Sequence, residues 1–400
     1  MKAIQKTLFV IVIAMIAFSA TTTRAYATLT PGILSISGSS TVYPVAIDAS
    51  ATFSSQYYNI TGNTITMNIQ QGGSGVAIPN MAANVYDMGE LSRPPTDAEF
   101  NSMPNLQLWA IGIDSVAIVV NPHLSPWIQN VTVAQVAYLF EKNQSSGNPY
   151  YTYWNDFNAA APHETIYRAV RDPTSGTFDC FFNFFLKPAG FDNNASKLAS
   201  YTYCQNNIDV LNTINSSGGQ DYIGFISLGY LHYGGLSALN IWNPLTSTYV
   251  VPSQAHVIDG TYVAWRWLWE ATAGPIAANM TDPNFVEGLW VSYLRLPNGY
   301  APGVSFLAHE DYIDLNPADM AGGPVINSTL QPETHLQPNQ TQTYPDGKVD
   351  YNDIVYFVDQ YINFYSKNIY NPLADFNADG KINYNDIVAF AQNYIAANSQ

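Results

Sequence analysis

Positive charge is scarce in this chain. Its 400 residues carry 14 Lys and Arg against 30 Asp and Glu, a formal net charge of −16. No nucleic-acid partner is expected, because little is present to neutralise a phosphate backbone. Charge of either sign is thin, at 11% of residues, against roughly a quarter in an average globular protein. The surface must be built largely from Tyr, Asn, Thr, Ser and Gln. Cysteine is nearly absent: Cys180 and Cys204 allow one disulfide or two buried thiols, and spacing does not choose between them. No His-Glu-x-x-His, no Cys-rich zinc pattern and no Gly-x-Ser-x-Gly elbow occurs. His163-Glu164 and His309-Glu310 lack a second His at helical spacing, and His123, His232 and His256 read as packing or surface residues. An enzyme is therefore not expected.

Hydrophobic residues make up 47% of the chain, which excludes disorder of the whole. Met1 to Ala27 reads as a secretory signal: Lys2 and Lys6, an apolar run from Leu8 to Phe18, then Ala25-Tyr26-Ala27. The run is shorter than the ~20 residues that span a bilayer, although an uncleaved anchor helix is the alternative. Removing the segment takes away Lys2, Lys6 and Arg24 and moves the net charge from −16 to −19. The mature protein is expected to be secreted, extracellular or held at the cell surface.

From about Leu34 to Leu315, short apolar runs alternate with helix-like stretches. Ile111–Val120 and Ile223–Leu228 read as buried strands, and Val133–Phe140 as the start of an amphipathic helix. This is α/β patterning with mainly parallel sheets. The segment is long for one sheet, so two lobes are expected. Residues 316–341 are rich in Pro, Asn, Thr and Gln, a linker composition.

An internal repeat follows. DGKVDYNDIVYFVDQYI from Asp346 matches DGKINYNDIVAFAQNYI from Asp379, an offset of 33 residues. In the second copy, Asp375, Asn377, Asp379, Asn383 and Asp386 fall at positions 1, 3, 5, 9 and 12 of a loop, with Gly380 at the sharp turn. Oxygens at that spacing wrap around one Ca2+, with the Lys381 carbonyl as a further ligand. The first copy is degraded: Gln342 and Tyr344 stand at positions 1 and 3, and Asp346, Lys348, Asp350 and Asp353 remain as candidate ligands for a weak or absent metal. The pair, residues 342–400, resembles a dockerin, a small all-α EF-hand-like module. That resemblance implies a cohesin-like partner meeting loop positions 10 and 11, here Tyr351-Asn352 and Tyr384-Asn385, in either of two orientations. Alternatively, the helices pack on the main domain as a cap.

Four hydroxyl-rich segments recur after apolar runs: Gly38-Ser39-Ser40-Thr41-Val42-Tyr43-Pro44, Gly72-Gly73-Ser74-Gly75, Asp87-Met88-Gly89-Glu90-Leu91-Ser92-Arg93-Pro94, and Arg171 to Thr177. Each looks like a strand end turning into a helix start, where unpaired backbone N–H groups point outward. Several such starts converging with one arginine make an anion cage. The set resembles the PstS-like phosphate-binding proteins of ABC transporters over roughly residues 33–310; Arg171-x-x-x-Ser175-Gly176-Thr177 is its most specific segment.

That resemblance implies a two-lobed venus-flytrap fold of the type II periplasmic binding protein kind. Within 28–315, lobe 1 would take about 30–115 and 255–315, and lobe 2 about 116–254. Phosphate would be held by Ser39, Ser40, Thr41, Ser74, Ser92, Arg171, Ser175, Gly176 and Thr177, with Arg93 structural or at the rim. Implied partners are inorganic phosphate and an ABC permease, and a monomer is expected. Some family members carry Asp where this chain has Ser92. Its absence opens the alternative of sulfate or another tetrahedral oxyanion, unless Asp87 or Glu90 substitutes. A further alternative is a secreted scaffold or adhesion protein that uses the same fold with a docking tail.

Overall fold

A computed structural model describes residues 32–216, 218–274, 276, 285–316 and 349–398. The expected leader Met1–Ala27, the linker from residue 317 onward, and Asp346 and Lys348 lie outside the described residues. The strands are β1 (Ile33–Gly38), β2 (Thr66–Gln71), β3 (Met88–Leu91), β4 (Gln107–Val120), β5 (Asn130–Val131), β6 (Ile166–Arg171), β7 (Thr202–Cys204), β8 (Asp221–Ser227), β9 (Ser237–Ala238), β10 (Asn240–Asn243), β11 (Thr248–Val250), β12 (Trp265–Thr272) and β13 (Ile313–Asp314). The helices are α1 (Tyr43–Thr61), α2 (Ser74–Ala82), α3 (Asp97–Ser102), α4 (Val133–Phe140), α5 (Trp154–Phe157), α6 (Gly176–Phe181), α7 (Asn207–Asn215), α8 (Gln254–Ile258), α9 (Phe285–Leu294), α10 (Phe306–His309), α11 (Tyr351–Lys367) and α12 (Tyr384–Ala397).

One curled sheet runs β2-β1-β3-β12-β4-β8-β6-β7. Its middle is β4, whose partner changes along its length. Gln107–Ser115 lies against β12, and Val116–Val120 against β8. The sequence pattern shows why: every residue from Asp114 to Val120 is buried, as befits a strand covered on both faces. The sheet is mixed, not mainly parallel. The outer pairs β1–β2, β1–β3, β6–β7 and β6–β8 are parallel, whereas β3–β12, β12–β4 and β4–β8 are antiparallel. The βα units on either side are parallel because helices connect them. The two long strands that cross between the halves, β4 and β12, run antiparallel to each other, so β12 opposes the strands of the first half and β4 those of the second.

Each half has its own core. In the first, α1 and α9 meet through Phe53 and Trp290, edge to face at 5.0 Å. In the second, Phe181 of α6 stacks on Phe225 of β8 at 4.0 Å. Cys180 and Cys204 are buried free thiols on separate core clusters. Among the described residues, no helix is long and apolar enough to cross a membrane.

The tail does not stand apart. Phe357, Tyr370, Leu373, Ala378, Ile382 and Phe390 belong to the same buried cluster as α1 and α9. Tyr370 Oη and Ser292 Oγ lie 2.7 Å apart, and Gln56 donates to the Ala378 carbonyl at 3.1 Å. Phe357 and Phe390, equivalent positions of the repeat, stack at 4.6 Å with planes 5° apart. The cap arrangement is thus the one adopted by the described part of the tail.

A buried carboxyl pair sits in the first half. Glu90 of β3 and Glu270 of β12 are register partners and both are fully buried. Among the described residues, neither oxygen of Glu90 has a hydrogen-bond partner, and Glu270 receives only Trp290 Nε1, at 3.3 Å. Burial pushes Glu270 up to about 8, while burial and then the Glu270 charge hold Glu90 well above its ordinary 4.5. The fold therefore favours the protonated forms. Their contribution is fully present below about pH 4.5 and is lost as pH rises through the folded values. We expect the urea midpoint to fall between about pH 5 and about pH 8.5, by a few kcal/mol of stability at most. Glu270→Gln is expected to flatten that slope; a variant as pH-sensitive as the wild type would contradict the assignment.

Candidate functional site

The four hydroxyl-rich segments meet where the two halves touch. Ser39 Oγ donates to Ser92 Oγ at 2.9 Å, and Ser74 Oγ lies 3.2 Å from Ser92 Oγ while accepting from the Ser92 amide at 3.0 Å. These residues follow β1 and β3 or begin α2, all in the first half. Arg171, the last residue of β6, reaches across from the second half. Its Nη2 donates to Ser40 Oγ at 3.0 Å and its Nη1 to Thr177 Oγ1 at 2.9 Å and to Asn207 Oδ1. Ser175 caps α6 by accepting from the Phe178 amide at 3.1 Å. Gly176 is pressed onto the opposite half: a Cβ there would stand 2.3 Å from Ser92 Oγ and 2.4 Å from the Ser92 carbonyl oxygen. All nine residues named from the sequence are thus gathered at one seam, and all are buried.

Three further residues complete the cluster. Arg266 Nη2 donates to Thr41 Oγ1 at 2.9 Å and to Thr177 Oγ1 at 3.1 Å, so it too bridges the halves. Its Nε and Nη2 bind Asp114 Oδ2 at 3.0 and 2.6 Å. Asn207, at the start of α7, donates to Thr41 Oγ1 at 3.3 Å. A charged residue inside Trp-Arg-Trp-Leu-Trp or inside Ile-Gly-Ile-Asp-Ser is the signal that marks Arg266 and Asp114. An isolated charge in an apolar strand is costly to bury unless paired. Asn207, one of two consecutive asparagines, carries no such signal.

The electrostatics favour an anion. Two guanidiniums face one carboxylate, and Asp114 is saturated by Arg266 and by Ser227 Oγ at 2.8 Å. Burial, then the neighbouring Arg266, bring Arg171 down to about 10, so it stays charged at neutral pH. Arg171 Nε and Arg266 Nη1 are buried donors without an acceptor among the described residues. A surplus of N–H and O–H donors with one net positive charge complements a small oxyanion. Neither Asp87 nor Glu90 replaces the missing carboxylate. Asp87 Oδ2 is held by the Ser35 amide at 2.8 Å and by the Ser35 hydroxyl, and Glu90 pairs with Glu270 in the core. Arg93 forms a two-pronged bond with Glu99 at 2.7 and 2.8 Å and donates to the Thr174 carbonyl at 3.2 Å across the seam.

In the tail, Gly380 turns with φ +78°, and Asp375 and Asp386 are buried. Asp375 accepts from the Asp379 and Gly380 amides at 3.2 and 2.8 Å; Asp379 accepts from Lys381 N at 3.0 Å and from Asn377 and Asn383 side chains at 3.1 Å. Burial first, then repulsion from Asp386 and Asp379, raise Asp375 to about 7. An all-oxygen donor set with crowded acids fits a hard cation such as Ca2+. Of the first copy, Asp350 and Asp353 form the capping box of α11, repeated by Asn383 and Asp386 at α12.

A family model described as a PBP superfamily domain matches residues 19–276. Protein SphX of Synechocystis sp. (strain ATCC 27184 / PCC 6803 / Kazusa) is 25% identical over 197 residues, 48% of this chain and 54% of SphX. The chain therefore aligns with about half the length of that curated relative. Among solved structures, one described as a phosphate ABC transporter substrate-binding protein with bound phosphate, from Clostridium perfringens, matches with a TM-score of 0.54 and 20% identity, covering 71% of this chain and 99% of that one. An ABC-type phosphate transport receptor from Vibrio cholerae matches with a TM-score of 0.44 and 20% identity, covering 60% and 87%.

The contact at Gly176 gives a direct check on the seam. Gly176→Ala is expected to force Ser92 and α6 apart and to lower stability by about 1–3 kcal/mol. Thermal melting of the ligand-free chain reads this; an unchanged melting temperature would mean the halves do not close as described.

Proposed function

The chain belongs to the PBP superfamily, and from that membership we propose that it is a secreted solute-binding protein that captures inorganic phosphate between two lobes for an ABC-type uptake system. The family and fold are those of a binding protein. The observation that carries the reading is the bond from Arg171 to Ser40 across the halves, beside two spare guanidinium donors. The Clostridium perfringens structure of similar fold holds phosphate, which supports phosphate as the ligand. Ser39, Ser40, Thr41, Ser74, Ser92, Arg171, Ser175, Gly176 and Thr177 would line the ion, with Arg266 and Asn207 added. Closure is a hinge motion stabilised by ligand contacts from both sides. The lobes would divide where β4 changes partner, about residue 115. With Ser92 in place of a carboxylate and Asp114 saturated, sulfate is not repelled, so another tetrahedral oxyanion is the alternative cargo.

The tail is proposed as a dockerin-like module that holds Ca2+ through Asp375, Asn377, Asp379, the Lys381 carbonyl, Asn383 and Asp386. A second reading, a surface scaffold that docks through this tail, is favoured by one observation. Tyr351 and Tyr384, equivalent in the repeat, are 71% and 74% exposed.

Fluorescence titration of the full chain separates these readings. Saturation by phosphate supports the receptor, saturation by sulfate alone changes the cargo, and silence toward both supports the scaffold. Arg171→Ala is expected to remove detectable phosphate binding; wild-type affinity in that variant would overturn the site. Calcium removal is expected to lower the melting temperature and to leave phosphate affinity unchanged. A chelator-sensitive affinity would instead couple tail and cleft.

A further inference from the structure

The strands that carry the anion cluster at one end carry a second group of ligating side chains at the other. β6 ends in Arg171 and β8 in Ser227; at their opposite ends stand Glu164, two residues before β6, and Asp221, the first residue of β8. The register pairs Ile166 with Asp221. His123 joins them from the turn Pro122–Leu124 that follows β4. Asn121 fixes that turn: its side chain accepts from the Tyr222 amide at 2.7 Å and donates to the Ile214 carbonyl at 3.0 Å.

One ligand atom each from His123, Glu164 and Asp221 lies within 4.8 Å of the other two. The three are not merely an acidic surface patch. Asp221 is 1% exposed, and among the described residues no well-aligned hydrogen bond reaches its carboxylate oxygens; its neighbours are the His123 and Glu164 side chains. His123 Nε2 stands 2.6 Å from Oδ1 without the angle of a hydrogen bond. Buried carboxylates ordinarily accept hydrogen bonds. This one instead faces an imidazole, which attracts it, and a second carboxylate, which repels it, and a cation among the three would offset that repulsion. His123 and Glu164 are exposed, which leaves a route from solvent and open coordination positions.

We propose that His123, Glu164 and Asp221 form a site for a divalent transition cation of the zinc class, at the strand ends opposite the anion cluster. One imidazole and two carboxylates suit zinc better than calcium, which takes oxygen alone. Six residues of strand separate the site from the cleft, about 20 Å.

The test is calorimetric titration of ZnCl2 into the full chain, stripped of metal and then saturated with calcium. One zinc is expected to bind. His123→Ala and Glu164→Gln, both at exposed positions, are each expected to weaken it about tenfold or more, as loss of a ligand should at least match loss of a supporting contact. His309→Ala, in the other described cluster of Asp48, His309 and Glu310, is expected to leave it unchanged. No zinc binding by the wild type overturns the proposal, as does binding that survives His123→Ala or is lost with His309→Ala.

Discussion

Asp114 and Arg266 form the ion pair around which the seam is organised. They face each other where β4 and β12 cross between the halves, and both are almost fully buried. A buried guanidinium is costly alone, and here a second one stands close: burial first, then the neighbouring Arg266, bring Arg171 down to about 10. One carboxylate offsets one arginine, the hydroxyls of Ser40, Thr41 and Thr177 take further bonds, and Arg171 Nε and Arg266 Nη1 stay spare among the described residues. Removing Asp114 would leave two uncompensated cations, a kind of loss that typically costs about 3–5 kcal/mol. The positions of the hydroxyls follow from this electrostatic need as much as from any ligand.

The arrangement also shows how so acidic a chain can hold a locally positive seam. A charge of −16 repels anions at long range, but salt screens that field within about 10 Å. Inside the seam the balance is local. Helix starts, hydroxyls and two guanidiniums lie against a single satisfied carboxylate, and their effect grows where water is excluded.

Much of this was legible from residue patterns because each hydroxyl-rich loop joins an apolar strand to a helix start, and hydroxyls beside glycine mark such junctions. Ile111–Val120 was readable as a strand from its apolar run. Its extension back to Gln107 was not, since alternation there is weaker. The antiparallel centre was invisible, because the direction of β12 depends on a chain crossing that no local pattern encodes. Arg266 and Asp114 are distant in sequence, and only the register of β12 on β4 makes them partners. The tail's repeat was plain, but its docking onto α9 was not: Gly380 serves the loop's turn and also admits the Phe285 ring, whose Cζ lies 2.3 Å from where a Cβ would stand.

The ring stack of Phe357 on Phe390 carries its own implication. The two phenyls are the same position of the duplicated unit, meeting nearly face to face. A lone unit would present that ring to water, and its best available cover would be another unit like itself. The duplication thus ties into one polypeptide an association that two separate half-modules would have to find by collision, and it makes either half a poor candidate for independent existence.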